Sequence, residues 1–169
     1  MGTGSGALLL LLAGRAGRLS LTGVELDPLS AQTARDNLAR SGLEGSIWEG
    51  DLRRVPLPAG GFDLVISNPP YFPVGAGKSG GSARSEEHCT LDELCTAAAR
   101  LVRNGGRFAL CHRPERLADV VCTLRACRLE PKELQFVYSD LSARPILFLV
   151  RAVLFGGKNL VIEKGIEVK

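Results

Sequence analysis

Short apolar runs alternate with amphipathic segments along this chain, and the alternation predicts an α/β fold with a mostly parallel sheet. Each apolar run is bounded by glycine, proline or a polar residue, as expected for buried strands. The predicted strands of the parallel part are residues 19–26, 46–48, 62–67 and 107–111. Residues 129–138 and 146–155 are predicted to close the sheet as an antiparallel pair, followed by a C-terminal extension over 156–169.

Helices are predicted between these strands, and capping residues mark two of their starts. Asp27 before Pro28 is typical of an N-cap followed by proline in the first turn. Thr90 and Glu93 have the spacing of a capping box. Apolar residues recur at helical spacing behind both caps, so each helix is expected to bury one face. Further helices are predicted over residues 8–13 and after Pro114.

Composition indicates a single globular domain over residues 1–169. The net charge of +3 permits a nucleic-acid partner without indicating one. No apolar run is long enough to cross a bilayer, so no membrane partner is expected. The five cysteines form no C-x-x-C pair and fit no zinc spacing, so no metal is expected. Cys111 and Cys122 are instead predicted to be small core residues.

A glycine-rich turn stands at the start of the chain, directly before a predicted helix. Glycines at positions 2, 4 and 6 allow the backbone to approach a ligand closely. Glu25 ends the following strand about twenty residues later, where an acidic side chain can bind the hydroxyls of a ribose. These two features alone suit an NAD enzyme as well as other nucleotide-cofactor enzymes.

Two later features favour a methyl donor over NAD. Asp51 ends another strand and is placed to accept a hydrogen bond from an adenine amino group. Asn68-Pro69-Pro70-Tyr71 follows the strand at 62–67, outside the carboxyl end where such sheets bind ligands. The Asn68 side-chain oxygen and the Pro69 carbonyl can both accept from a planar amino group and direct its lone pair at a sulfonium methyl. Tyr71 offers a face for stacking a planar base or amide.

The stretch after this motif is expected to contact the substrate. Phe72 extends the aromatic surface, and Lys78 and Arg84 are predicted to approach substrate phosphates. Residues 75–79 resemble part of a P-loop, but Phe72 stands where that motif requires a glycine. A phosphate-binding P-loop is therefore not predicted.

Taken together, these motifs resemble class I S-adenosylmethionine-dependent methyltransferases of the amino-modifying kind. More narrowly, the chain resembles the bacterial tRNA1(Val) (adenine-N6)-methyltransferases. The segments that carry the narrower resemblance are Asn68-Pro-Pro-Tyr-Phe72, Ala83-Arg84 with Glu87, Cys89-Thr90-Leu91, Gly105-Gly106-Arg107-Phe108 and His112-Arg113-Pro114-Glu115-Arg116-Leu117.

This resemblance implies a Rossmann-like, seven-stranded sheet, S-adenosylmethionine as cofactor, and a cytoplasmic enzyme that modifies adenine N6 in tRNA. It assigns catalysis to residues 68–71, with Tyr71, Phe72, Lys78 and Arg84 facing the substrate. The implied cofactor-binding residues are Gly2, Thr3, Gly4, Gly6, Glu25, Leu26, Asp51, Leu52 and Asn68. Arg113 and Arg116 receive no role.

The start of the chain departs from the family pattern. Family members carry an apolar strand before the glycine turn, whereas here Met1 directly precedes Gly2. The first strand is therefore expected to be missing, with residues 160–168 as a candidate replacement. Three alternatives stay open: methylation of a glutamine amide in a release factor, methylation of guanine N2 in rRNA, and a non-catalytic, truncated remnant.

Overall fold

A computed structural model describes residues 1–16, 19–69 and 89–168. The chain divides into two compact units, Met1–Pro56 and Leu57–Lys169, and each is described by itself. The predicted single domain over 1–169 stays a prediction. Several predicted site residues lie outside the described residues, namely Pro70, Tyr71, Phe72, Lys78 and Arg84.

The first unit contains two helices and two parallel strands. In chain order they are α1 (Ala7–Ala13), β1 (Leu21–Glu25), α2 (Pro28–Arg40) and β2 (Gly45–Glu49). Residue 21 pairs with residue 45 and residue 25 with residue 49. Both strands therefore end at the same edge of this sheet.

Helix α2 confirms the capping and burial predicted from the sequence. The Asp27 side chain accepts a hydrogen bond from the Ser30 N–H at 2.8 Å, and Pro28 occupies the first turn. These hydrogen bonds to Ser30 lower the pKa of Asp27. Ala31, Ala34 and Leu38 are buried along one face of the helix. The left-handed Gly42 follows the helix end, as glycine does after many helices.

The second unit is built on a six-stranded sheet. Its first elements are β3 (Phe62–Ser67), α3 (Leu91–Leu101) and β4 (Val102–His112). A 3-10 turn (Pro114–Arg116), α4 (Leu117–Ala126), β5 (Leu129–Tyr138), β6 (Leu147–Leu154), β7 (Val161–Ile162) and β8 (Ile166–Glu167) follow. The strand order is β3-β4-β6-β5-β7, and β8 also pairs with β5. Strands β3 and β4 are parallel, whereas β6 is antiparallel to both β4 and β5, as predicted.

Strand β4 begins earlier than the sequence suggests. It starts at Val102, directly after α3, rather than at Arg107. The pairing register with β3 shifts between Phe62 and Leu64, so residues 103–106 form an irregular segment within the strand. The positive φ of Gly105 (70°) allows this turn of the backbone.

Helix α3 packs an apolar face into the core of this unit. The capping box at Thr90 and Glu93 is present as predicted. The buried residues of the helix are Leu91, Leu94, Cys95, Ala97, Ala98 and Leu101. Burial raises the pKa of the Cys95 thiol to about 12. Cys122 is exposed and Cys111 is half-buried, so neither is the buried core residue that the sequence predicts.

The C-terminal extension forms an edge of the second sheet. Val161 and Ile162 of β7 pair with β5 in parallel, and so do the two residues of β8. Residues 160–168 therefore do not replace a central strand, which corrects that candidate. The absence of the first strand stays a prediction. Among the described residues, no helix has the length and apolar character needed to span a membrane.

Candidate functional site

The glycine turn adopts a backbone that strongly favours glycine. Gly2, Gly4 and Gly6 have φ values of 63°, 55° and 86°. A side chain at Gly2 or Gly4 would begin in open space, with no atom of the described residues outside its chain neighbours within 4 Å of its Cβ. A Cβ at Gly6 would lie 3.3 Å from the Cβ of Ala34. Gly2 and Gly4 thus leave room for a ligand, whereas Gly6 allows close packing on α2.

Thr3 anchors the turn to the neighbouring strand β1. Its N–H donates to the Val24 carbonyl at 3.0 Å, and its hydroxyl accepts from the Val24 N–H at 2.8 Å. The close approach requires glycine at position 23, because a Cβ there would lie 2.8 Å from the Thr3 hydroxyl oxygen and 2.6 Å from a methyl of Ile47. Thr3 therefore holds the glycine turn against β1. Its predicted role in binding the cofactor stays a prediction.

Glu25 links the glycine turn to the start of α2. Its Oε2 accepts from the Gly4 N–H at 2.7 Å, and its Oε1 accepts from the Asp27 N–H at 3.0 Å. A carboxylate offers about four acceptor positions. These two bonds fix the orientation of the half-buried carboxylate and leave further acceptor capacity for hydroxyl groups.

Asp51 follows β2 and is held by a cation close to it in the chain. Arg53 donates from Nε to both Asp51 oxygens at 2.9 and 2.8 Å. These hydrogen bonds lower the pKa of Asp51, so its carboxyl is ionised at neutral pH. An adenine amino group at Asp51 would compete with Arg53. The apolar residues Leu26, which is exposed, and Leu52, which is half-buried, follow the ends of the same two strands.

Asn68 directly follows β3 in the second unit and is exposed. Its side-chain Oδ1 accepts a hydrogen bond from the Cys111 thiol, with an Sγ–Oδ1 distance of 3.0 Å. Pro69 is half-buried. The remaining predicted catalytic and substrate residues are outside the described residues, so their roles stay predictions.

Three residues with clear contacts at these positions were not predicted from the sequence. They are Gly23, Arg53 and Cys111. An isolated glycine within a strand pattern indicates close approach of another chain segment, so Gly23 carried a readable signal. The contacts of Arg53 and Cys111 depend on side-chain placement and strand register, which the sequence pattern does not specify.

Comparison with known proteins places these motifs in a family. A sequence profile described as a methyltransferase domain matches residues 1–76. A tRNA1(Val) (adenine(37)-N6)-methyltransferase from Porphyromonas gingivalis is 35% identical, covering 71% of this chain and 51% of that protein. A protein of the same name from Dickeya chrysanthemi is 31% identical, covering 94% of this chain and 65% of that protein. The chain thus spans about half to two thirds of the length of these relatives.

A shorter match involves a different substrate class. A release factor glutamine methyltransferase from Deinococcus radiodurans is 41% identical over 74 residues, which cover 44% of this chain and 26% of that protein. The longer matches, which extend over more of this chain, carry the tRNA methyltransferase name. The resemblance predicted from the sequence is therefore confirmed.

Solved structures give the same fold. A predicted O-methyltransferase from Agrobacterium tumefaciens has a TM-score of 0.81 at 20% identity, covering 99% of this chain and 77% of that chain. A geranyl diphosphate C-methyltransferase from Streptomyces coelicolor, solved with S-adenosyl-L-homocysteine, has a TM-score of 0.70 at 13% identity and covers 90% of this chain and 68% of that chain. Identities this low show the fold alone, and they confirm the predicted Rossmann-like class. Together with this fold, the methyltransferase profile and the longer sequence matches show that the chain belongs to the class I S-adenosylmethionine-dependent methyltransferases.

Proposed function

We propose that this protein transfers a methyl group from S-adenosylmethionine to an exocyclic amino group, the N6 of an adenine in tRNA. The observation that carries the proposal is the side chain of Asn68, exposed directly after β3 with its Oδ1 oriented by a hydrogen bond. The first unit offers groups suited to a cofactor, and the second offers an amide suited to activating an amino group.

S-adenosylmethionine is the cofactor of this family, and the first unit offers groups suited to it. Among the residues that the structure describes, nothing lies within 4 Å of the place where a side chain would begin at Gly2 or Gly4. The Glu25 carboxylate retains acceptor capacity for the two hydroxyls of a ribose. Leu26 and Leu52 supply apolar surface for an adenine ring, and Asp51 is the proposed partner of its amino group. When bound, the cofactor supplies an electrophilic methyl on a sulfonium.

Asn68 has the right chemistry to activate a planar amino group. The lone pair of such a nitrogen is delocalised into the adjacent ring, which makes it a poor nucleophile. An N–H that donates to Oδ1 of Asn68 and another that donates to the carbonyl of Pro69 favour a tetrahedral nitrogen. Its lone pair is then directed at the methyl group. Catalysis in this account is positioning and electrostatic stabilisation, without a metal or covalent intermediate.

The proposed substrate is tRNA in the cytoplasm. Support comes from the names of the longer relatives and from the segments that resemble that family. Lys78 and Arg84 remain the proposed phosphate contacts, and Tyr71 and Phe72 the proposed stacking surface. A glutamine amide is the second candidate, because its nitrogen is also planar. The release factor glutamine methyltransferase from Deinococcus radiodurans, which matches 44% of this chain, supports this candidate.

Methyl transfer from radiolabelled S-adenosylmethionine separates these candidates. Purified protein is incubated with total bacterial tRNA or with a purified release factor, and acid-insoluble label is counted in each. We expect label in the tRNA and a rate lowered at least about 100-fold by Asn68→Ala. Asn104→Ala is the control, because Asn104 is an exposed asparagine of the same unit in the irregular segment of β4.

Label entering only the release factor would support the glutamine alternative and contradict the tRNA proposal. Label in tRNA that persists at full rate in Asn68→Ala would reject the assignment of Asn68. Label in neither substrate would favour the non-catalytic alternative.

A further inference from the structure

Strand register brings Cys111 beside the proposed catalytic amide. Strands β3 and β4 are parallel, and Ser67 pairs with Leu110 at their carboxyl ends. The next residues are Asn68 on one strand and Cys111 on the other. The thiol of Cys111 donates to Oδ1 of Asn68 at 3.0 Å. The register of the two strands brings the two backbones together, and the two side chains meet at this point.

The chemistry of a thiol makes this contact selective for one end of the amide. An asparagine side chain presents an oxygen acceptor on one end and an NH₂ donor on the other. A thiol is a donor through S–H and only a weak acceptor through sulfur, so it favours the oxygen. The amide oxygen has two lone pairs, and a bond to Cys111 occupies one of them. Two lone pairs allow an amide oxygen to accept from a thiol and from a substrate amino group at the same time.

We propose that Cys111 is a positioning residue for methyl transfer: its thiol holds the Asn68 side chain in the orientation whose oxygen accepts from the substrate amino group. This inference rests on the proposed function, in which Asn68 activates that group. Loss of the thiol would remove a donor that favours the oxygen at this place. An amide with its NH₂ end towards the substrate would set two donors against each other. Orientation is thus supplied before the substrate binds, which lowers the entropic cost of the reaction.

The position of Cys111 in β4 is consistent with this role rather than with core filling. Phe108, Leu110 and His112 are buried on one face of the strand, whereas Cys111 alternates with them and is half-buried. Cys95 provides the contrast, because it is fully buried in the apolar face of α3. An alanine at position 111 would keep the strand but could not donate this hydrogen bond.

Three variants test the proposal in the purified protein. Cys111→Ala removes the donor, and Cys111→Ser keeps a donor of similar size. Cys122→Ala removes an exposed thiol on α4 as a control. We expect Cys111→Ala to lower kcat for tRNA methylation about five- to tenfold, the effect of losing one neutral hydrogen bond. The KM values for tRNA and S-adenosylmethionine should stay within about twofold. Cys111→Ser should restore kcat to within about twofold of the original protein, and Cys122→Ala should leave it unchanged.

A second readout does not depend on turnover. In ¹⁵N-labelled protein, the side-chain NH₂ signals of Asn68 report the order of the amide. We expect the order parameter of this group to fall in Cys111→Ala and to recover in Cys111→Ser. Unchanged order in Cys111→Ala would overturn the proposal, and so would an unchanged kcat.

The catalytic role of Asn68 and the positioning role of Cys111 can be rejected separately. If Asn68→Ala abolishes methylation while Cys111→Ala has the kcat of the original protein, the positioning role is rejected and the proposed function stands. If Asn68→Ala retains full activity, the catalytic assignment of Asn68 is rejected, and the role of Cys111 in catalysis is rejected with it.

Discussion

The glycine turn of the first unit and the end of β3 in the second differ in the chemical groups that they offer to a ligand. In the first unit, the candidate site consists mostly of backbone: three glycines with positive φ, a threonine bonded to β1 and one carboxylate. In the second, the candidate group is a single exposed amide, Asn68, on the carboxyl end of a strand. Residues of the glycine turn shape the backbone, whereas Asn68 offers a side-chain group for chemistry.

This contrast has a direct consequence for substitutions. A change in the glycine turn alters backbone conformation, so it should affect both the free energy of unfolding and ligand affinity. A change at Asn68 removes an exposed side chain whose thiol partner is half-buried, so it should affect the rate with little effect on stability.

The largest effect is expected at Asn68. Replacing it by alanine removes the acceptor proposed for the amino group, and we expect kcat to fall about 100- to 1000-fold, as for other preorganised polar groups in active sites. Calorimetry should give Tm values close to that of the original protein for Asn68→Ala and for the control Asn104→Ala. A large loss of Tm in Asn68→Ala alone would show that the amide is structural and would break the contrast.

The next effect concerns Glu25 and its register partner on β2. Glu25→Ala removes the acceptor of the Gly4 N–H and the proposed ribose partner. Glu49, which is paired with Glu25 in the sheet, forms a 3.6 Å ion pair with Arg35 and has no proposed role in binding the cofactor. Charge-assisted hydrogen bonds of about 1.5–3 kcal/mol predict a Kd for S-adenosylmethionine raised about 10- to 100-fold. Titration calorimetry should give an almost unchanged Kd for Glu49→Ala. Equal losses in the two variants would contradict the role of Glu25.

Two glycines with nearly the same backbone conformation separate strain from ligand space. Gly4 and Gly42 have φ values of 55° and 64°, and neither would bring its Cβ within 4 Å of a non-neighbouring atom among the described residues. Alanine at either position should cost about 1–2 kcal/mol of unfolding free energy, because both require a left-handed backbone. Only Gly4→Ala should also raise the Kd for S-adenosylmethionine, by about tenfold, because its methyl occupies the proposed ligand space.

If Gly42→Ala weakened S-adenosylmethionine binding as much as Gly4→Ala, the loss would follow from general destabilisation. The open space beside Gly4 would then have no demonstrated connection to the cofactor.

The smallest effect concerns the acid stability of the first unit. Hydrogen bonds from Arg53 lower the pKa of Asp51 in the folded protein. A lowered carboxyl pKa contributes stability that is present above the unfolded value of about 3.9 and is lost as the pH falls through the folded value. Arg53→Ala should therefore shift acid unfolding, followed by circular dichroism, slightly towards higher pH.

Arg54→Ala is the matched control, because Arg54 is exposed and its charge lowers the pKa of Asp51 less than the hydrogen bonds from Arg53 do, so we expect a smaller shift. An equal shift in both variants would assign the effect to general charge rather than to the Arg53 hydrogen bonds.

The sequence predicts the parts of this molecule that depend on local chemistry. The caps of α2 and α3 were predicted from Asp27 and Thr90 because capping uses residues close together in the chain. The strand segments along the chain and the antiparallel pairing of β5 with β6 follow from apolar runs and a short turn. The resemblance in the motifs led to the family. These features carry their information within a few residues.

Features that join distant segments were not predictable in the same way. The contact between Cys111 and Asn68 depends on the register of β3 with β4, and that register shifts at the irregular segment around Gly105. The Arg53 contact with Asp51 depends on a side-chain rotamer in a turn. The role of Gly6 in packing on Ala34 required the path of α2. The alternation of apolar and polar residues shows which face of a strand or helix is buried. It does not show which residues of distant segments contact each other.

The central claim is that Asn68 directs methyl transfer to the N6 amino group of adenine in tRNA. The most direct test treats tRNA with the purified protein and deuterated-methyl S-adenosylmethionine, digests it to nucleosides and analyses them by mass spectrometry. The account predicts deuterated N6-methyladenosine with the original protein and its near-complete loss with Asn68→Ala. Deuterium found in N2-methylguanosine instead, or N6-methyladenosine formed equally well by Asn68→Ala, would contradict it.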